Sequence, residues 1–393
     1  MGSQYLGNTD TVFRESVLRH FTEADISAGR EYALYGFWFR VLYGFLLVGA
    51  LIAMLRLGFF ESLWQKAGAH QGAGLLRQDL LFIMGSLLII QLLSFPSSVY
   101  LGYWCEAESG FSNIGFGGWL FRYFKSLLLG TGLQTLAILV LLAVIRWFPQ
   151  KWHVLVPFVM GLFALTVTLL APVVITPLFY RQTPLAEGKF RADILGMAYQ
   201  ASMEVDEVYV IDESRYSKHT NAYFTGVGSH RRIVLYDNLI KSHTPEEAAL
   251  IFAHEAGHWK YNHVAWGLSL GVFGMLFIAI AYRALFPMLA QVGWFGLKDV
   301  AGASGLPFLL LLVMILQLFV APVESQISQF MERQADRFAL ELTGLRDDFI
   351  GAQVRLSRDN RSDLLPSPLR VFWLYSHPPA IERIRMAEEF KPL

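Results

Sequence analysis

Long apolar runs alternate along this chain with two polar blocks, and the runs set the first expectation. Six stretches are long and apolar enough to cross a bilayer as helices, which takes about 20 residues each. They are 33–55, 80–104, 126–145, 154–179, 264–290 and 306–330. Arg40 lies near one end of the first, where its long side chain can reach the interface. Pro96, Pro157 and Pro172 fall inside the second and fourth and predict kinks. The polar blocks are 180–263 and 331–393. In the first, KFRADILGMAYQASME reads as a helix and VYVID as a strand. NAYFTGV, a Gly-Ser-His turn and RRIVLYD then read as a hairpin. Thr244, Pro245 and Glu247 make an N-cap, a first helical residue and a capping box, so a helix starts at 245. The expected fold is mainly α: a polytopic helical membrane protein with a small sheet in its polar part. Two domains are expected, 1–179 with four spans and 180–393 with two more.

Composition sharpens this. Hydrophobic residues make up 54% of the 393 and charged ones 16%, well under the roughly 25% usual in soluble proteins. The lipid bilayer is thus one partner. Net charge is zero, which gives no basic field for nucleic acid. Cys105 is the single cysteine, so neither an intrachain disulfide nor a cysteine-based zinc site is available. The polar start, MGSQYLGNTD, does not read as a cleavable signal peptide and lacks the Ser or Thr at position 6 of a myristoylation motif. Nothing in the pattern sets an oligomeric state.

The candidate chemistry lies in AHEAGHWKYNH, residues 253–263. On a helix His254 and His258 share a face and can grip one ion, while Glu255 turns aside as a base for a metal-bound water. A catalytic zinc needs a third protein ligand. SQFMERQADRFAL offers Glu332, with Asp336 one turn on to hold a ligand histidine by its other ring nitrogen. Two spans separate these elements, so both emerge on one side of the membrane. His263 is expected on the motif helix but off the ligand face, in a capping or interfacial role. His153 falls at a membrane end, and His219, His230 and His243 in loops. In YSHPPAIERIRM, His377 precedes a helix bearing Arg383, and a positive group there could stabilise an oxyanion.

Several runs together resemble the type I CAAX prenyl proteases, membrane zinc metalloproteases that process prenylated peptides. They are FPSSVY at 95–100, APVVITPLFYRQTPL at 171–185 and HTNAYFTGVGSHRRIVLYDNLI at 219–240, with AHEAGHW, Ala335-Asp336 and SHPPAIERI at 376–384. The resemblance covers about residues 80–390. It implies one Zn2+ per chain on His254, His258 and Glu332, with Glu255 as general base and Asp336 beside a ligand. It also implies His377 and Arg383 over the substrate carbonyl, and Asn221 and Ala222 bonding an extended peptide. The implied fold is a ring of membrane helices around a chamber, in the gluzincin class of zinc proteases. The implied substrate is a peptide or protein, prenylated or otherwise membrane-associated. Two departures stand out. The family usually has seven spans against six here, and its Glu-Glu-x-x-Gly-Phe-Asn run appears as Glu106-Ala107-Glu108-Ser109-Gly110-Phe111-Ser112. Competing readings are an HtpX-like quality-control protease and a transporter or scaffold with a vestigial zinc site. Most Lys and Arg fall on the side of the polar blocks, which favours catalytic lobes in the cytoplasm. A bacterial inner membrane is expected, with the endoplasmic reticulum as the alternative.

Overall fold

A computed structural model describes residues 11–391 except 69–73, 202, 204, 206, 228–229, 294 and 296; for 224–227, 230 and 231 it describes the backbone. The polar N-terminal stretch and the Gly-Ser part of the expected turn lie outside the described residues. Among the described residues six helices are long and apolar enough to span a membrane, one at each expected run. They are α1 Glu23–Arg56, α2 Leu75–Val99, α3 Phe116–Trp147 and α4 Trp152–Leu170 in the first half, and later α7 His263–Val292 and α8 Leu306–Thr343. Most overrun the apolar stretch. α1 starts ten residues early because Thr22 and Asp25 form a capping box there, and a helix continues past the bilayer wherever its backbone bonds continue. The prolines do not break the spans. After Pro96 the chain widens into a π-helical turn at Tyr100–Trp104, and Pro172 lies in another at Ala171–Ile175. Such turns absorb the ring and the missing N–H.

The bundle is packed tightest at one end, where Leu51, Leu55, Phe82, Leu142, Trp152, Phe286 and Phe308 from the six helices form one core. Asp79 is buried there and paired with Arg146, whose Nη2 donates to Asp79 Oδ1 at 2.9 Å and whose Nε donates to the Ala301 carbonyl at 3.1 Å. The pairing is what lets two charges stay in an apolar setting.

The polar block folds as expected, with an addition. Strands β1 Gln182–Pro184, β2 Glu207–Ile211, β3 Ala222–Val227 and β4 His230–Tyr236 form a sheet in the order β1-β2-β4-β3. β3 and β4 are the antiparallel hairpin, with Ala222 opposite Leu235, and VYVID becomes β2, parallel to β4. β1, three residues ending in a proline, is too short to carry a pattern. Helices α5 Lys189–Gln200 and α6 Pro245–Lys260 cover the sheet, burying Ile194, Val208, Ile233, Leu235 and Phe252. The capping box at the start of α6 forms, since Thr244 Oγ1 accepts from Glu247 N and Glu247 accepts from Thr244 N. α6 ends sooner than expected. Asn262 takes a left-handed conformation (φ 54°), so His263 opens α7 instead of continuing the motif helix. Three short helices close the chain: α9 Arg346–Asp359, α10 Pro368–Leu374 and α11 Ala380–Glu389.

Candidate metal centre

α6 and α8 cross at small residues. Gly257 lies against Ala335 so closely that a Cβ on the glycine would sit 2.7 Å from Ala335 Cα and 3.1 Å from its carbonyl oxygen. Ala253, Ala256, Ala335 and Ala339 are all fully buried around this crossing. The approach sets the centre, because only helices this close bring imidazoles from one to a carboxylate on the other. Gly257→Ala should therefore push the helices apart, costing about 1–3 kcal/mol as overpacking does and lowering metal affinity. Thermal melting with metal analysis checks this, and an unchanged result for both would mean the crossing tolerates a methyl.

Three ligand atoms converge there. His254 Nε2 lies 3.2 Å from His258 Nε2 and 3.2 Å from Glu332 Oε2, and His258 Nε2 lies 3.3 Å from Glu332 Oε1. These residues form a group able to hold an ion. Tautomers follow from the outer partners. His254 Nδ1 is 2.7 Å from Asp336 Oδ1 and must donate to it. His258 Nδ1 is 2.9 Å from His263 Nδ1, and His263 Nε2 is 3.2 Å from Gln334 Oε1. With the amide oxygen so placed, His263 donates to Gln334 and accepts from His258. In these neutral tautomers both Nε2 atoms are lone pairs facing each other and a carboxylate. Among the described residues nothing meets hydrogen-bonding geometry with the buried Glu332 Oε2. A set of bare donors of this kind fits a divalent cation. Burial opposes charge on His254, yet the Asp336 and Glu332 carboxylates drive its pKa up to about 10, so without a cation a proton takes its place between the ligands. The pocket favours positive charge strongly.

Further partners hold this arrangement. Asp336, with no exposed surface, accepts from Arg383 Nε at 2.7 Å on Oδ2 and from Arg383 Nη2 on Oδ1. Arg383 is thus committed first to Asp336, although its side chain also lines the cavity described below. α8 grips the segment before His377 by its backbone. Ser325 Oγ donates to the Tyr375 carbonyl (2.7 Å), Gln329 Nε2 to the Val371 carbonyl (2.9 Å) and Ser328 Oγ to the Ser376 carbonyl (2.8 Å). This brings His377 Nε2 to 3.3 Å from Glu332 Oε2. Burial lowers the pKa of His377 and raises that of Glu255.

One cavity of about 600 Å³ joins these groups. Its walls include His254, Glu255, His377 and Arg383, Asn221 at the start of β3, and Tyr32, Phe37 and Arg40 from α1. Asn221 Oδ1 accepts from Ala222 N at 2.9 Å, and the Ala222 side chain is buried inside the lobe. β3 is the sheet's edge and packs beside α6. The sequence reading missed two contributors, Gly257 and the His263–Gln334 pair. A small residue inside a ligand helix signals the first. The Tyr-Asn before His263, apt for a left-handed helix end, signals the second.

Known proteins resemble this chain over most of its length. The model of peptidase family M48 matches residues 184–391, and the model "CAAX prenyl protease N-terminal, five membrane helices" matches residues 4–181. A CAAX prenyl protease 1 homolog of Arabidopsis thaliana is 30% identical, across 91% of this chain and 85% of that protein. CAAX prenyl protease 1 of Saccharomyces cerevisiae is 28% identical over 85% and 79%. An uncharacterized metalloprotease of Bacillus subtilis, YhfN, is 29% identical over 78% and 72%. The crystal structure of S. mikatae Ste24p shares the fold, with a TM-score of 0.84 at 24% identity over 94% of this chain and 90% of that one. Six apolar helices among the described residues, a His-His-Glu group able to hold a metal ion and a family model that spans more than half of the sequence lead to one assignment: the chain belongs to peptidase family M48, as an integral-membrane metalloendopeptidase.

Proposed function

We propose that the protein is a zinc endopeptidase acting on C-terminally prenylated or otherwise membrane-associated peptides, with one Zn2+ per chain on His254, His258 and Glu332. The cavity carries this reading, because the first span walls the same space as His254 and Glu255, so a peptide is met at the bilayer. Two imidazoles and a carboxylate are a common catalytic zinc set, and zinc supplies an acidified water and a polarised carbonyl. Glu255 takes the proton from the attacking water and returns it to the leaving amine. Asp336 fixes the His254 tautomer and Arg383 holds Asp336, while His263 does for His258 what Asp336 does for His254. His377 steadies the oxyanion from the cavity side. Asn221 and the β3 edge bond an extended peptide by its backbone.

We read the chain as two units, 1–179 and 180–393, with catalytic lobes in the cytoplasm of a bacterial inner membrane. The match of the N-terminal half to the CAAX protease domain favours this reading over an HtpX-like quality-control role. The convergent ligand group, with Glu255 on the cavity beside it, weighs against a vestigial site. The test is mass spectrometry of products from farnesylated and unmodified C-a-a-X peptides. A single cut near the C terminus of the farnesylated peptide is expected, abolished by chelator and restored by zinc. Equal cutting of unmodified peptides and unfolded membrane proteins would favour the quality-control role.

A further inference from the structure

Several charges around the cavity are held by a direct partner. Arg383 pairs with Asp336, and Arg370 Nη1 donates to Asp363 at 2.6 Å. Glu106 is satisfied on both oxygens, by the Tyr32 hydroxyl at 2.6 Å and by His219 Nε2 at 2.8 Å. Arg361 lies over the Phe111 ring. Arg40 is different. It stands on α1, lines the cavity with His254 and Glu255, and is exposed into it. Its guanidinium folds back over Gly36 of its own helix, where a Cβ would be 3.4 Å from Nη2. Among the described residues no acceptor hydrogen-bonds it; the Glu106 carboxylate, already bonded to Tyr32 and His219, meets its charge only across space. A cation within a membrane span is costly and is normally paired. A guanidinium fork with no hydrogen-bonded acceptor, on the same cavity as the hydrolytic centre, suits an anion that arrives and leaves with the substrate.

We infer that Arg40 is the receptor for the C-terminal carboxylate of the peptide. This rests on the reading of the protein as a peptidase that cuts close to a C terminus. A guanidinium matches a carboxylate in two parallel hydrogen bonds, which an amide cannot accept in the same way. Arg40 and Glu255 line one cavity of about 600 Å³, and three extended residues reach about 10 Å at roughly 3.3–3.6 Å each. Arg40 then fixes how far from the chain end the bond is cut. Longer or amidated ends lose the contact.

The test uses full-length, zinc-loaded protein and one peptide sequence ending in either a free acid or an amide. The wild type should prefer the acid by about tenfold or more in kcat/KM, the scale of a charged hydrogen-bonded contact. Arg40→Gln should bring the ratio close to one, Arg40→Lys should restore part of it, and Arg361→Gln should keep it. A ratio near one in the wild type, a preference surviving in Arg40→Gln, or an equal loss in Arg361→Gln overturns the assignment. Binding of the same peptides to Glu255→Gln protein gives a readout without turnover. There, an acid preference that needs Arg40 upholds the carboxylate site even if the wild type cuts neither peptide, an outcome that would overturn the peptidase reading alone.

Discussion

Glu255→Gln should lower turnover about 10²- to 10⁴-fold, the range of a lost general base, while metal content and melting temperature stay at wild-type values. Glu255 precedes a ligand histidine yet lies outside the convergent ligand group, and it faces the cavity. Burial raises its pKa, which makes it a better proton acceptor than an ordinary carboxylate. Glutamine keeps the shape and removes that capacity. Steady-state kinetics beside metal analysis checks the expectation. Near-normal turnover, with contaminating proteases excluded, would remove Glu255 from the chemistry. Loss of the metal would mean that it is a ligand after all.

Asp336→Ala should be the most damaging substitution for the folded state. It strands Arg383, a cation whose side chain is only 13% exposed, and breaking such a pair from one side costs about 3–5 kcal/mol. It also frees the His254 ring, and losing a partner of this kind weakens metal binding about 10- to 100-fold. The two effects separate in a double variant. Arg383→Met added to Asp336→Ala removes the stranded charge, so melting should recover while metal affinity stays low. Melting curves and chelator competition read the two quantities. Wild-type behaviour of Asp336→Ala in both would show that the buried carboxylate supports neither the fold nor the ligand.

The parts of this molecule legible in the sequence are those set by local pattern. The six spans, the β3–β4 hairpin and the start of α6 at Thr244 each depend on residues within a few positions of one another. The Glu332 and Asp336 pair was legible for the same reason, being one helical turn apart. The Gly257–Ala335 crossing joins residues 78 apart, and no periodicity in either helix announces it. His263 was placed on the wrong helix because one left-handed residue, Asn262, resets the helical phase. β1 forms only because β2 offers it an edge. Arg40 was expected to reach the membrane interface, and the cavity wall it forms becomes visible only when α1 is set beside α6.

α8 is a single element of 38 residues, about 57 Å long at 1.5 Å per residue, against a hydrocarbon layer of about 30 Å. Its first half is anchored among lipid tails and its second half delivers Glu332. The histidines opposite it stand on α6, which is joined to a span only through the turn at Asn262. A thicker or thinner bilayer tilts a spanning helix at a cost of only fractions of a kcal/mol per ångström, and that tilt swings the far end of the rod most. Pro322, ten residues before Glu332, is where the rod can yield, and the tight crossing at Gly257 is what resists. Acyl-chain length thereby becomes a mechanical input to coordination, felt at the carboxylate and absorbed at a proline.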